Sequence, residues 1–406
     1  MRLLLLNQVF HPDLQATSQY LSRLAEEMAR RGHEVTVLTC RRDYDDPERE
    51  YPARETWRGV EIIRVWNTGY GRSSKAGKLV DFASFLVMAS LRGIFLTRAD
   101  VVLALTTPPL ISVLGAALSL LWQARFVYWV MDLNPDEAIA VGWLKPDAPL
   151  AYALEVASRW SLRCAAKVIV LDRYMRDRLR DKDIPECKIE TIPPWAQTGI
   201  AFDPAGRGRF REAHGLADKF VVMYAGNHTP CHPLETLIEA AKLLQDEARI
   251  QFCFVGGGME WGRLRAKARY EGRRNMTFLG YQPFTELPGL LSAADVQVVV
   301  MGNSFVGIIH PCKVYNFLAT ERPFIAIGPE RSHISDLIRD VALEAVTASF
   351  RHGESTALAE EIRRQANLPA DSGEKFIWPF SEMEARWGEK ALLSKLVSTL
   401  EAAADS

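Results

Sequence analysis

No two of the six cysteines (Cys40, Cys164, Cys187, Cys231, Cys253 and Cys312) form a Cys-x-x-Cys pair. That spacing removes the ordinary redox and zinc frameworks and points to a reducing setting, the cytoplasm. Net charge is nearly absent too. The 49 Lys and Arg against 50 Asp and Glu leave −1, too little positive field for a general nucleic-acid binder. Short repeats and low-complexity tracts are missing, and 48% hydrophobic with 24% charged residues excludes a disordered chain. A clean membrane span is also lacking. The uncharged stretch between Asp100 and Arg125 is long enough by count, but Thr106-Thr107-Pro108-Pro109 interrupts it. Val101–Leu105 therefore reads as a buried strand and Leu110–Trp122 as a buried helix. The leucines after Met1-Arg2 are too few for a signal peptide, and Asn7, Gln8, His11 and Asp13 follow with no cleavage site. They predict a buried first strand.

What is present is one plan written twice. Met1–Asn7 (MRLLLLN) predicts a strand, Ser18–Arg31 a helix and Glu34–Cys40 (EVTVLTC) a second strand. The plan recurs as Lys219–Ala225 (KFVVMYA), a helix over Leu234–Leu244, and Ile250–Val255 (IQFCFV) running into Gly256-Gly257-Gly258. Strand, loop, amphipathic helix, strand builds a parallel sheet with ligand loops at its carboxyl edge. Apolar runs at Val60–Trp66, Phe126–Val130 and Lys167–Leu171 extend the first sheet, with helices over Lys78–Leu96 and Leu150–Cys164. Met276–Leu279, Val296–Met301 and Phe324–Gly328 extend the second, with helices over Thr285–Ala293 and Pro311–Ala319. Two α/β lobes follow, residues 1–198 and 199–380. The linker is placed at Ile192–Gly199 and Pro204-Ala205-Gly206, and 381–406 is an amphipathic tail helix with Trp387, Leu392, Leu393, Leu396 and Leu400 at helical spacing.

The chemistry concentrates in Gly302–Gly328 (GNSFVGIIHPCKVYNFLATERPFIAIG). A strand ends at Met301, a loop with Gly302 and Gly307 follows, and Pro311 marks a helix start whose free N–H groups and dipole favour a pyrophosphate. Lys313, in the first turn, adds a full positive charge; a bare solvated lysine is the alternative.

This segment resembles the donor-binding stretch of the family-four glycosyltransferases of the GT-B fold, bacterial exopolysaccharide and O-antigen enzymes in particular. Their Lys-x-Tyr-Glu-x-x-Ala-x-Gly-x-Pro pattern lies over Lys313, Tyr315, Asn316, Ala319, Glu321 and Pro323. The likeness extends through Asn7–Cys40, Met131–Gly142, Tyr224–Ala241 and Phe278–Asp295. It implies two Rossmann-like domains with parallel sheets facing across a cleft, a C-terminal helix returning to the first domain, donor held by the second domain and acceptor by the first. It further implies retaining, metal-independent transfer from a nucleotide-sugar, UDP before GDP, with no resident cofactor. The acceptor is expected to be a polyprenyl-diphosphate-linked glycan at the inner membrane face. Carried onto this chain, the catalytic candidates are Lys313, His310 and Asp132. The donor candidates are Gly226, Asn227, His228, Gly256, Gly257, Tyr281, Gly307, Ile308, Ile309, Asn316 and Thr17.

The departures are specific. Ile308 and Asn316 stand where the family has two glutamates, Asn227 and His232 where it has phosphate-holding cations, and Thr106 and Thr107 where it often has a histidine. They keep open a non-catalytic nucleotide-sugar binder, and the shared fold keeps open a sugar-nucleotide 2-epimerase. The loop Gly226–Pro233 (GNHTPCHP) offers His228 and His232 to a phosphate; its His-x-x-Cys-His spacing is no standard zinc arrangement, so no metal is expected. In Asn7–Gln19, Ser18 reads as an N-cap, and His11 and Asp13 as polar candidates. Asp132 and Glu137 read either as acceptor contacts or as helix caps. Residues 54–98 carry eight Lys or Arg against three Asp or Glu, with Trp57, Trp66 and Tyr70 between them, a pattern suited to anionic lipid.

Overall fold

The computed structural model describes residues 1–44, 46–71, 75–341, 343, 347–368 and 380–405, with the side chains of 75 and 380–382 excepted. Arg72, one of the cations counted for lipid contact, lies outside the described residues, as does the side chain of Lys75. The chain divides into two compact units. One holds Met1–Pro194, Gly307–His310 and Lys390–Ser406; the other holds Trp195–Val306 and Pro311–Glu389.

The first unit is built on eight strands: β1 (Arg2–Leu6), β2 (Glu34–Cys40), β3 (Arg54–Trp57), β4 (Val60–Val65), β5 (Val101–Ala104), β6 (Arg125–Trp129), β7 (Lys167–Val170) and β8 (Ile189–Thr191). Their order is β3-β4-β2-β1-β5-β6-β7-β8. All pair in parallel except β3, which folds back on β4. β1 sits at the centre with Leu3, Leu4, Leu5 and Leu6 all buried, because a strand covered on both faces needs apolar side chains on both. The chain winds one way from β1 to β2 and the other way from β1 to β5, so the loops after β1 and β5 part at a switch point where open α/β sheets bind ligands.

The second unit repeats the plan with β9 (Phe220–Ala225), β10 (Ile250–Val255), β11 (Met276–Leu279), β12 (Val296–Val300), β13 (Phe324–Ile327) and β14 (Thr347–Phe350). Their order is β11-β10-β9-β12-β13-β14. Its switch point falls between β9 and β12, so the loops that open at Gly226 and at Met301 come together. Phe252, Phe254, Val298 and Val300 form its core with Leu237 and Ile362.

Several expectations are corrected. Pro204-Ala205-Gly206 is no linker: it opens the Pro204–Ala213 helix, where Pro at the first position suits the missing N–H and the Asp203 carboxylate accepts from Gly206 N at 2.9 Å. Ser18 is no cap; it lies inside the Ala16–Arg30 helix, buried, with its hydroxyl donating to Asp13 O at 2.9 Å. The helix expected from Pro311 begins at Lys313. The tail is two helices, Phe380–Trp387 and Glu389–Asp405, parted at Gly388. From Lys390 the second of these belongs to the first unit. It buries Leu392, Leu396 and Leu400 there, with Lys395 bonded to Thr191 O at 3.0 Å and Glu401 to His33 at 3.1 Å. Among the described residues no helix is long and apolar enough to cross a membrane.

Candidate functional site

At the second unit's switch point the backbone is packed too tightly for side chains. Gly226 has φ +141° and Gly256 +128°, a region an L residue rarely adopts. Their strands are joined through Gly226 N to Val255 O at 2.9 Å and Gly256 N to Leu279 O at 3.0 Å. A β-carbon on Gly256 would press into the Gly226 carbonyl, and one on Gly226 would meet Lys313 Nζ at 2.8 Å. A Gly256→Ala change is thus expected to destabilise this unit by about 2 kcal/mol or more. Denaturant unfolding of the variant checks it, since an unchanged midpoint means the loop tolerates a side chain.

Into this crowded corner the Lys313–Ala319 helix delivers Lys313. Its ammonium lies 3.8 Å over the Tyr224 ring, an attractive cation–π placement. Among the described residues, however, it is buried with no hydrogen-bond partner. Burial alone pushes its pKa down to about 7. The solvated-lysine alternative is therefore wrong. Two histidines flank it. His232 has Nδ1 2.8 Å from Val300 O; a carbonyl only accepts, so Nδ1 carries the proton and the neutral ring leaves Nε2 as an acceptor. The His228 ring stands edge-on to Tyr224 at 5.1 Å. Burial first, then the Lys313 charge, holds His232 at about 3 and His228 at about 4. The outer wall is Tyr281, whose hydroxyl donates to Asn227 Oδ1 and whose ring would meet a β-carbon on Gly257 at 2.6 Å. A buried ammonium without a carboxylate partner at a switch point is what an anionic ligand would complete.

Asn316 commits the oxygen of its amide to the backbone. Its Oδ1 accepts from Gln197 N at 3.0 Å, so the amide oxygen anchors the chain just after the unit boundary. Gly307, Ile308, Ile309 and His310 belong to the first unit. Gly307 has φ +70°, with a β-carbon there 2.5 Å from Tyr174 O. Ile308 O accepts from Leu133 N at 2.8 Å, and Ile308 and Ile309 are buried. His310 Nδ1 donates to Asp172 Oδ2 at 2.7 Å, while Asp172 Oδ1 caps the Arg173–Asp181 helix through Met175 N at 2.8 Å. Asp172 was not singled out from the sequence, although an Asp directly after a buried strand and before a helical stretch is a cap signal.

Asp132 follows β6 beside this group. It caps nothing: the next helix is Asp136–Ala140, with Pro135 at its cap. Burial first, then the Glu137 charge, raises the Asp132 pKa, and burial raises that of Glu137 as well. Such a pair retains a proton well above the usual carboxylate range. Thr17 is half-buried in the first turn of the Ala16–Arg30 helix. His11 stacks on Trp57 at 4.3 Å, and Asp13 is buried.

A second recess, unmarked by any motif, opens outside the carboxyl ends of β1, β2 and β4. It is lined by Gln8, Arg42, Tyr44, Asn67, Lys78 and Phe82, among others. Gln8 and Asn67 are buried, and Oε1 of the first and Oδ1 of the second have no partner among the described residues. Arg42 is braced by Glu50 at 2.7 Å and by Pro47 O at 2.8 Å. Asp81 is filled by the Tyr70 and Gly71 N–H groups, each at 2.8 Å.

Comparison with known proteins agrees with this architecture. The glycosyl transferase 4-like domain family matches residues 16–195, and the glycosyl transferases group 1 family matches residues 219–367. The WcaI protein of Escherichia coli K12, named as a colanic acid biosynthesis glycosyl transferase, is 27% identical over 91% of this chain and 93% of its own. WbjE of Pseudomonas aeruginosa, named as a glycosyltransferase, is 22% identical over 84% of each. Among solved structures, HepE of Anabaena in complex with UDP-glucose superposes with a TM-score of 0.72 at 16% identity, covering 99% of this chain and 100% of its own. That likeness speaks for the fold. With a family match in each of its two α/β units, the chain belongs to the family-4 glycosyltransferases of the GT-B fold.

Proposed function

We propose that this enzyme is a retaining, metal-independent glycosyltransferase of cell-surface polysaccharide synthesis, moving a sugar from a UDP-sugar to a lipid-linked glycan. The observation that carries the donor half is the buried, unpaired Lys313 ammonium between Tyr224 and Gly226. A diphosphate placed there supplies the missing counter-charge. As the bond from sugar C1 to the diphosphate oxygen breaks, the ammonium neutralises the negative charge that develops, the electrostatic contribution that dominates such transfers. The acceptor hydroxyl bonds to C1 on the same face, and its proton passes to the departing phosphate oxygen. Tyr281 and Asn227 border the nucleoside side. UDP as the carrier is supported by the UDP-glucose held by HepE, and a polysaccharide product by the name of WcaI.

The acceptor half draws on the first unit. Gln8 and Asn67 offer unpartnered amide oxygens to sugar hydroxyls, and Lys78, on the rim of the same recess, suits an anionic group. His310, held by Asp172, and the proton-retaining Asp132 are polar groups offered to the hydroxyls of sugar and acceptor, while the transferred proton goes to the phosphate. An epimerase is disfavoured because the loops 226–233 and 302–306 contain no carboxylate. Metal independence rests on the family likeness and on the lack of an Asp-x-Asp pair in the 7–19 and 226–233 loops. The test is incubation with UDP- and GDP-sugars and detergent-solubilised membrane lipid extract in excess EDTA. Nucleotide release that requires the extract is expected. Loss on chelation reversed by a divalent ion refutes metal independence; isomerised donor identifies an epimerase; binding without release identifies a non-catalytic module.

A further inference from the structure

Three helices cover one face of the first sheet. The steps β4 to β5, β5 to β6 and β6 to β7 all run in one direction along the strand order. Right-handed crossovers therefore put the Lys75–Ile94, Ile111–Trp122 and Pro149–Cys164 helices on the same side, and the Ala16–Arg30 helix on the other. The first of them packs on the second and the second on the third. Facing the core, Lys75–Ile94 buries Phe85 and Ala89. An ordinary surface helix would then turn charge outward. This one turns out Leu79 (68% exposed), Val87, Leu91 and Ile94, and Phe95 (79% exposed) follows it. Ile111–Trp122 adds exposed Leu120 and Leu121, and Pro149–Cys164 adds Tyr152, Val156 and Trp160. So wide an unpartnered apolar surface marks an interaction site.

The charges on the Lys75–Ile94 helix and the turn that follows it are mostly positive. Between residues 76 and 99 the charged side chains are Lys78, Arg92, Arg98 and Asp81, and Asp81 is turned inward onto Thr68, Tyr70 and Gly71. The Ile111–Trp122 helix carries no charge at all. Glu155 is bound by Lys182 and Arg159, each at 2.7 Å. The cations upstream, by contrast, are spent: Arg54 pairs with Glu61, Arg58 with Glu26 at 2.5 Å and Arg64 with Glu55 at 2.6 Å. Trp57 is packed on His11 and Phe10. The segment singled out from the sequence therefore divides, and Arg54, Arg58 and Arg64 in its first half are already paired with carboxylates.

We infer that the outer face of the Lys75–Ile94, Ile111–Trp122 and Pro149–Cys164 helices seats in the headgroup layer of an anionic membrane, with Leu79, Leu91, Phe95 and Leu121 entering the acyl boundary and Arg92 and Arg98 on phosphate headgroups. A second copy of this chain fits less well, since a two-fold contact would set the same cations against each other. The surface is continuous with the first unit's recess: Lys78, Asp81 and Phe82 line that recess from the helix that exposes Leu79 and Leu91. An amphiphilic acceptor would thus present its glycan head to the recess while its lipid stays in the leaflet. This inference rests on the lipid-linked acceptor proposed above.

Vesicle flotation of the whole protein tests it. Phosphatidylglycerol-containing vesicles should carry the protein up, and pure phosphatidylcholine vesicles should carry much less. Leu91→Glu with Phe95→Glu should weaken partitioning by about tenfold or more, and Arg92→Gln with Arg98→Gln should remove its salt sensitivity. Both variants should keep UDP binding and turnover on detergent-solubilised extract. Absence of flotation by the parent protein, or equal flotation of the glutamate variant, would overturn the inference. So would a dimer in light scattering that the glutamate variant dissociates. Turnover of detergent-solubilised extract without any vesicle binding would leave the transferase reading intact and refute only the surface. No transfer from any donor to the extract would refute the reading on which it rests.

Discussion

Changing Lys313 to alanine is expected to weaken UDP binding roughly tenfold to a hundredfold, the loss of one charge-assisted hydrogen bond of about 1.5–3 kcal/mol, and to reduce turnover at least as much. The unliganded protein should not suffer. Taking this ammonium from its ordinary 10.5 down to about 7 is an unfavourable burial of a few kcal/mol, and truncation relieves it. Lys313→Met, which retains the aliphatic stem against Tyr224, should unfold at a temperature no lower than the parent and with the same collapse of UDP affinity. That opposite movement of stability and binding is characteristic of a site built for a ligand. Calorimetric titration with UDP, paired with thermal unfolding, measures both. Near-parental UDP affinity in either variant removes Lys313 from the donor site.

The second expectation concerns pH. Below about 7 the lysine is charged in both the folded and the unfolded chain, and its burial cost is fully present. Above 10.5 it is neutral in both, and the cost is gone. Between those values the unfolded chain binds the extra proton, so this group makes the free protein more stable as pH rises. Donor affinity moves the other way. Above about pH 7 the free site has lost the proton that a diphosphate needs, so binding must take one up, and affinity should fall by up to tenfold per pH unit. His228 and His232, held at about 4 and about 3, stay neutral throughout this range and add nothing to the slope. UDP titrations between about pH 7 and about 9 in the parent should show the slope, and Lys313→Met should flatten it. A parent affinity independent of pH there would mean the ammonium keeps its proton without a ligand.

The two-unit plan was legible because it rests on long apolar runs. β1, β2, β9, β10 and β12 each advertise themselves by four or more consecutive apolar or β-branched residues bounded by turns. Three of the four edge strands were not legible, β11 being the exception. β3 (RETW), β8 (IET) and β14 (TASF) are three or four residues long and partly polar, since an edge strand needs little burial to pair. The Pro204–Ala213 helix was hidden by composition, where Pro-Ala-Gly suggests a loop until Asp203 is seen as its cap. Gly226 and Gly256 stood out as glycines after strands, which is a local property. The burial of Lys313 did not, because it depends on Tyr224 and Gly226, brought near only by the β9–β12 switch point. The His310–Asp172 pair was invisible for the same reason. Local pattern located the loops, and sheet order decided which side chains share a charge environment.

The first unit is assembled from three separate stretches of chain, and this orders its life on the ribosome. Residues 1–194 emerge first and carry the whole eight-stranded sheet, yet that unit also needs Gly307–His310 and the residues from Lys390 onward. Until they arrive, Leu133 N lacks Ile308 O, Asp172 lacks His310, and the surface that Leu392, Leu396 and Leu400 cover stands bare. The second unit, bounded by Trp195 and Glu389, has all its strands before the first can be finished. Synthesis therefore closes the molecule in reverse: the half that begins first is completed last, held open by the longest sequence separations in the chain.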